Sequence, residues 1–300
     1  MITQNMGKVI DQIRQERKMS REDLCEDIMS VRNYQRFISE EVNVSNDKLN
    51  KLVDRLNLDF FTVSEIFKHR SENKYSKLHH IYHLMQSNSD KEAYEALKKI
   101  NVHSVESSYT ELFYNYLKLD LERQLGITPI ENSLEELQAL INYPNILEYE
   151  VLNFIELNVL VILNTHFSKK EDHTVADFLY KFLLDDKLNA KGILTSFLPA
   201  LYSSTAQSLG TFMEYKKALK IADRGLLECK KLQMYNSMHN LLFFKAIAHQ
   251  KLNQEDQTLE TVKRLYTLLH TLNEPDKDNE YFPILERVFG KKMAIEFKEL

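Results

Sequence analysis

Residues 6–67 read MGKVIDQIRQERKMSREDLCEDIMSVRNYQRFISEEVNVSNDKLNKLVDRLNLDFFTVSEIF, and the spacing of their apolar side chains predicts five short helices joined by tight turns. Met6, Val9, Ile10 and Ile13 recur at i, i+3, i+4 and i+7, which places one apolar stripe on a first helix ending near Lys18. Ser20 can cap a second helix, with Asp23 as the acidic partner of a capping box, and Leu24 and Ile28 facing inward. After a break at Met29-Ser30-Val31, Tyr34, Phe37 and Ile38 supply the apolar side of a third helix whose polar side carries Arg32, Asn33, Gln35 and Arg36. Ser45 caps a fourth helix bearing Leu49, Leu52, Val53 and Leu56, and Phe60, Phe61, Val63, Ile66 and Phe67 mark a fifth.

Five short helices with a tight turn between the second and third form the plan of a helix-turn-helix DNA-binding domain. The run resembles the phage-repressor-type domain of the Gram-positive peptide-pheromone regulators Rgg, PlcR and PrgX, most clearly in IRQERKMSREDL, DIMS and DKLNKLVDRLNLDFF. Two departures from that family stand out. Its Glu followed two residues later by Gly, after the third helix, is replaced by Ile38 and Glu40, and the Gln that opens its second helix is replaced by Arg21. In a major groove, Arg reads guanine and Asn or Gln reads adenine, so Arg32, Asn33, Gln35 and Arg36 are the candidate base readers. Arg21, with Arg14, Arg17 and Lys18, is a candidate phosphate anchor. The competing reading is a solvated polar face on a structural core.

Beyond this segment the composition points to helices throughout. The 300 residues include six glycines and five prolines, far below the roughly 12% that the two average together. The net charge is −5, yet residues 1–70 balance twelve Lys and Arg against twelve Asp and Glu, leaving 27 against 32 for the rest. Nonspecific nucleic-acid binding by the whole surface is therefore excluded, and DNA contact must come from a local face. Cys25 and Cys229 lie far apart without metal-ligand spacing, which reads as reduced thiols in a cytoplasmic protein. No run approaches eighteen apolar residues, so no membrane association is expected.

The domains are expected at 1–68 for the helix-turn-helix, 69–74 for a charged linker, and 75–300 for a tetratricopeptide-like helical solenoid. Helix pairs fall near 75–87 with 89–101, 107–125 with 131–142, 147–166 with 172–185, 190–210 with 214–230, and 233–252 with 254–271, with a terminal pair at 279–299. EYKKALKIADRGLLE fits the second helix of a repeat, its Ala218, Ala222 and Gly225 standing where small residues let helices approach. Weaker matches carry Ala93 with Leu97 and Thr258 with Val262; Ala206 and Ala246 precede Ala218 and Thr258 by twelve residues. The spacing from Ala218 to Thr258 is 40 residues rather than the usual 34, so the units are stretched.

A curved solenoid can hold an extended peptide on its first helices, where Asn and Gln side chains can bond the peptide backbone. Asn153, Asn164, Gln207, Asn236 and Asn240 are the candidates for such binding, alongside Asn115 and Asn158. Asn153 and Asn164, eleven residues apart, are expected on one face of one helix, with Asn158 turned away by about 140°. Each Asn alone reads equally as a cap or a packing hydrogen bond. Tyr114, Phe154, Leu157, Tyr202 and Phe243 could line pockets or fill the core.

Catalytic readings find little support. His79 and His83 are four apart on a helix but lack His-Glu-x-x-His and a third ligand, and no phosphate loop or nucleophile elbow occurs. His166, His173, His249 and Cys229 have no partner at acid-base spacing. The expectation is an all-α, non-enzymatic transcription regulator without cofactor or metal. It binds a double-stranded operator as a homodimer, since such domains read paired half-sites. The family resemblance implies a short hydrophobic signalling peptide as its effector, as in quorum sensing. The alternatives are a tetratricopeptide interaction module whose N-terminal domain binds protein, and a constitutive regulator whose groove is filled by its own residues.

Overall fold

The computed structural model describes residues 6–70, 74–100, 108–185, 197–235, 238–272 and 275–290, and among these every element is helical. Cα proximity divides the chain into two compact units, residues 1–133 and 134–300.

The first unit opens with α1 (Met6–Glu16), α2 (Arg21–Cys25), α3 (Val31–Ile38), α4 (Asn46–Arg55) and α5 (Phe60–Arg70), the five expected helices. Serines set the starts of α2, α3 and α4. Ser20, Ser30 and Ser45 each accept a hydrogen bond from the backbone three residues on, at Asp23, Asn33 and Lys48, so each satisfies one of the N–H groups that a helix start leaves open. The five helices enclose one core that includes Ile10, Leu24, Tyr34, Phe37, Leu52, Leu56 and Val63, all fully buried. Gly7 lets α1 approach the end of α3 closely, because a Cβ there would lie 2.8 Å from the Phe37 carbonyl oxygen. The charged stretch expected as a linker is helical at both ends, since α5 runs through His69 and Arg70 and the next helix starts at Lys74; Ser71–Asn73 lie outside the described residues. The unit continues with α6 (Lys74–Gln86), α7 (Asp90–Lys98) and α8 (Ser108–Gln124), in mutual contact; α9 (Ile130–Leu140) begins in this unit and ends in the next.

The second unit stacks α10 (Phe154–Ser168), α11 (Thr174–Leu184), α12 (Leu198–Thr211), α13 (Tyr215–Lys231), α14 (Met238–Lys251), α15 (Glu255–Leu272) and α16 (Pro275–Phe289). Each first helix packs on its own second helix and on the first helix of the next pair: α12 lies against α13 and α14, and α10 against α11 and α12. The small residues fall where the repeat pattern puts them. Ala206, Ala218, Ala222 and Ala246 are buried, and a Cβ at Gly225 would lie 2.7 Å from Tyr202 Cβ and 3.0 Å from Leu241.

Several boundaries differ from expectation: α2 ends at Cys25 and leaves Ile28 in the turn, α14 starts at Met238 rather than 233, and α16 starts at Pro275 rather than 279. The helix expected from residue 147 starts at Phe154, and Asn145–Glu148 form a short 3-10 turn instead. The cause is a capping box: Asn153 Oδ1 accepts from the backbone of Ile155 and Glu156, while Glu156 Oε2 accepts from the Asn153 N–H at 2.6 Å. At the C-terminal end, α16 stops before Gly290, whose φ is +92°, and residues 291–299 of the expected terminal pair lie outside the described residues.

Scarcity of glycine shows in the turns. Among the described residues, ten non-glycine positions take positive φ, including Asp27, Glu40, Asn88, Glu171, Met213 and Asn253. Asn tolerates this conformation; Met and Glu do so at a cost of about 1 kcal/mol or more.

Candidate functional site

The outward face of α3 is a row of polar side chains on a firmly packed base. Arg32, Asn33, Gln35 and Arg36 are exposed, whereas Tyr34 and Phe37 between them are 0% and 2% exposed. The helix is thus anchored on one side, and the four candidate base readers share the other. Arg36 Nε donates to Glu41 Oε2 at 3.3 Å, an exposed pair whose small stabilisation leaves the guanidinium available to another partner.

Behind that helix lies a buried carboxylate. Asp11, 5% exposed, accepts from Arg14 Nε at 2.8 Å, from Gln15 Nε2 at 2.8 Å, and from Arg21 Nε and Nη2 at 3.3 and 3.2 Å. Burial by itself would raise the Asp11 carboxyl, but the hydrogen bonds from Arg21, Arg14 and Gln15 outweigh it and hold the pKa at about 2. The same pairing raises the Arg21 guanidinium. Burial, and then the Asp11 charge, push the Tyr34 phenol of α3 above its ordinary value. Arg14 also donates to the Met19 carbonyl oxygen, so it is buried structure rather than the phosphate anchor expected of it. Arg17 and Lys18 are exposed, and Arg21, about a third exposed, opens α2 while tied to α1.

Two further contacts in this domain have no counterpart in the sequence reading. Lys8 Nζ meets Glu40 Oε1 at 2.8 Å, joining α1 to the turn after α3. Arg55, at the end of α4, donates through Nη1 to the carbonyl oxygens of Asp23, at 3.2 Å, and of Glu26. Helical spacing foreshadows Asp11 with Arg14 and Gln15, at i+3 and i+4. Arg21, Lys8 and Arg55 meet their partners only through the tertiary fold.

The candidate peptide contacts do not form one set. Asn153 is the cap of α10 and so does not share a helix face with Asn164, which corrects the expectation drawn from their spacing. Asn164 is buried, its Nδ2 donating to Ser204 Oγ and to the Ser204 carbonyl oxygen on α12. Asn158 Nδ2 donates to the Phe154 carbonyl oxygen within its own helix. Asn240 accepts from the Tyr281 hydroxyl of α16. Asn236 lies outside the described residues. Gln207, alone among the four described candidates, is exposed. Leu157 and Tyr202 are core residues; Tyr114, Phe154 and Phe243 are half-buried. The helix that carries Gln207, LPALYSSTAQSLGT, bears no Asp, Glu, Lys, Arg or His, unlike α13 and α15 on the second-helix side.

Among the described residues, no helix is long and apolar enough to cross a membrane, and no group of three or more His, Cys, Asp or Glu is placed to hold a metal. His79 packs its ring edge on Phe113, with centroids 5.0 Å apart.

No protein-family model and no curated protein matches the sequence. Solved structures match the fold along nearly the whole chain. PlcR of Bacillus thuringiensis, in complex with the peptide PapR7 and DNA, is 15% identical with a TM-score of 0.73, covering 92% of this chain and 98% of its own. The SHP pheromone receptor Rgg2 of Streptococcus dysgalactiae is 12% identical with a TM-score of 0.64, covering 96% and 100%. ComR from S. thermophilus, in complex with DNA and its signalling peptide ComS, is 16% identical with a TM-score of 0.61, covering 92% and 96%. The likeness is one of fold, shared from the helix-turn-helix to the repeats.

Proposed function

We propose that this chain is a cytoplasmic, homodimeric transcription regulator of the Rgg, PlcR and PrgX type: a binding protein rather than an enzyme. Its α3 reads a double-stranded operator, and its repeats receive a short, largely apolar signalling peptide. The observation that carries the reading is the coincidence of an exposed Arg-Asn-Gln-Arg face on a buried helix-turn-helix core with a fold shared, over nine-tenths of each chain, with PlcR and ComR, whose structures hold DNA and a peptide. Arg32, Asn33, Gln35 and Arg36 take the base-reading role, and Arg17 and Lys18, with the exposed part of Arg21, face phosphate. In the repeats, Gln207 on the uncharged α12 is the first candidate for a peptide-backbone contact. Asn153, Asn164 and Asn240 hold the helices that frame it.

The test is titration of the chain's own promoter fragment and of a scrambled duplex over a salt series, with and without synthetic peptides encoded by short reading frames beside its gene. Preference for the promoter that steepens or weakens with one peptide supports the reading. No preference for either duplex would return the chain to an interaction module that binds protein. Preference indifferent to every peptide would make it a constitutive regulator.

A further inference from the structure

The α2–α3 turn, Glu26-Asp27-Ile28-Met29-Ser30, decides where the exposed face of α3 points, and it is built under constraint. Asp27 sits at φ +56°, a left-handed conformation usually given to glycine. The backbone folds back on α2 through Glu26 N–H to the Glu22 carbonyl oxygen, and through Ile28 and Met29 N–H to that of Cys25, at 3.0 to 3.1 Å. Because α2 ends at Cys25, its last carbonyls have no intrahelical donors. The turn's own N–H groups serve Glu22 and Cys25, and Arg55 Nη1 donates to the carbonyl oxygens of Asp23, in α2, and of Glu26, just past its end, from 32 and 29 residues away. A cation therefore stands at the negative end of α2. Asp23 and Glu26, with the exposed Glu22 and Asp27, line an open concavity at this turn. That concavity presents the carboxylates of Glu22, Asp23, Glu26 and Asp27, which repel a phosphate.

From this geometry we infer that Arg55 is a positioning residue for operator reading: it locks the α2–α3 turn from the end of α4 and so fixes the direction of Arg32, Asn33, Gln35 and Arg36, without touching DNA. The inference rests on the DNA-reading proposal above.

The test uses the full chain as wild type, Arg55→Met and Arg55→Lys. Two measurements are made: duplex binding by fluorescence anisotropy over a salt series, and amide hydrogen exchange. Losing two charge-assisted bonds to backbone should leave the helical signal intact and speed exchange at Ile28 and Met29 by about ten-fold. Operator preference over scrambled DNA should fall by about ten-fold, with scrambled-DNA affinity and salt slope unchanged, and Arg55→Lys should restore part of both effects. Equal losses on both duplexes with a slope lower by about one would make Arg55 a phosphate contact and overturn the inference. Unchanged exchange at Ile28 and Met29 would overturn it as well, whatever the DNA result. A wild type that does not discriminate between duplexes would sink the DNA-reading proposal, a distinct failure, and the role assigned here to Arg55 would fall with it.

Discussion

Asn164 of α10 and Ser204 of α12 are joined by a buried bridge, with Asn164 Nδ2 lying 2.9 Å from Ser204 Oγ and 3.2 Å from the Ser204 carbonyl oxygen. An amide engaged in this way is a fastener between successive first helices rather than a free ligand contact. Asn164→Ala should lower the unfolding free energy by about 1–3 kcal/mol, read in a denaturant titration. Gln207→Ala, at an exposed position, should change stability by no more than about 0.5 kcal/mol, yet weaken binding of the cognate peptide several-fold in calorimetry. The opposite pattern, a stable Asn164 variant with lost peptide affinity, would move the contact back to Asn164.

Acid should test the cluster behind α3. The Asp11 carboxyl is held at about 2, below its ordinary 3.8, so its contribution is fully present above about pH 4 and is lost as pH falls toward 2. Asp11→Asn should be less stable than wild type at pH 7, by about 2 kcal/mol, and the two stability curves should converge between pH 4 and 2. A constant gap across that window would show that the carboxylate's charge is not the stabilising feature.

The exposed face of α3 calls for separate readouts. Gln35→Ala and Arg36→Ala should each reduce preference for the operator over random DNA by about 1–3 kcal/mol while leaving thermal unfolding unchanged. Arg21→Ala should combine two effects, because its guanidinium serves Asp11 as well as any phosphate: lower stability, and a salt slope reduced by about one. Mobility-shift titrations at several salt concentrations separate these outcomes.

Backbone conformation offers substitutions of opposite sign. Met213, 74% exposed, turns the chain between α12 and α13 at φ +60°. Met213→Gly should raise stability by about 1 kcal/mol by removing the left-handed penalty. Gly7→Ala should lower it by about 1–3 kcal/mol, since the added methyl meets the rigid backbone of Phe37 and Ile38 rather than a side chain that can move aside. Melting curves of the two variants decide both.

Much of the fold was legible because period and caps are local properties. Ser20 and Ser45 mark helix starts, and Ala218, Ala222 and Gly225 mark the approach of helices, from sequence neighbours alone. The exposed face of α3 was legible for the same reason. The ligand contacts were not. Asn153 and Asn164 have a spacing that fits one face of a helix, but a capping box at Asn153 ends the helix there, and Ser204 captures Asn164 from 40 residues away. Arg14 has the charge of a phosphate anchor, but the fold buries it on the inward side of α1 with Asp11. At the position after α3 where the family resemblance implies glycine, Glu40 takes φ +64° and binds Lys8, so a strained residue occupies a conformation that glycine adopts freely.

Gly225 has a mechanical consequence. Its missing side chain leaves only enough room for Tyr202 on one side and Leu241 on the other, so a single hydrogen atom sets the spacing of α12, α13 and α14. In a stack where every repeat takes its orientation from its neighbour, that spacing acts as a pivot, and any wedge inserted there rotates everything downstream. The distance between successive first helices is therefore adjustable at this one position. Graded substitution from glycine to alanine to serine would widen that spacing step by step without altering a residue on the exposed side of α12.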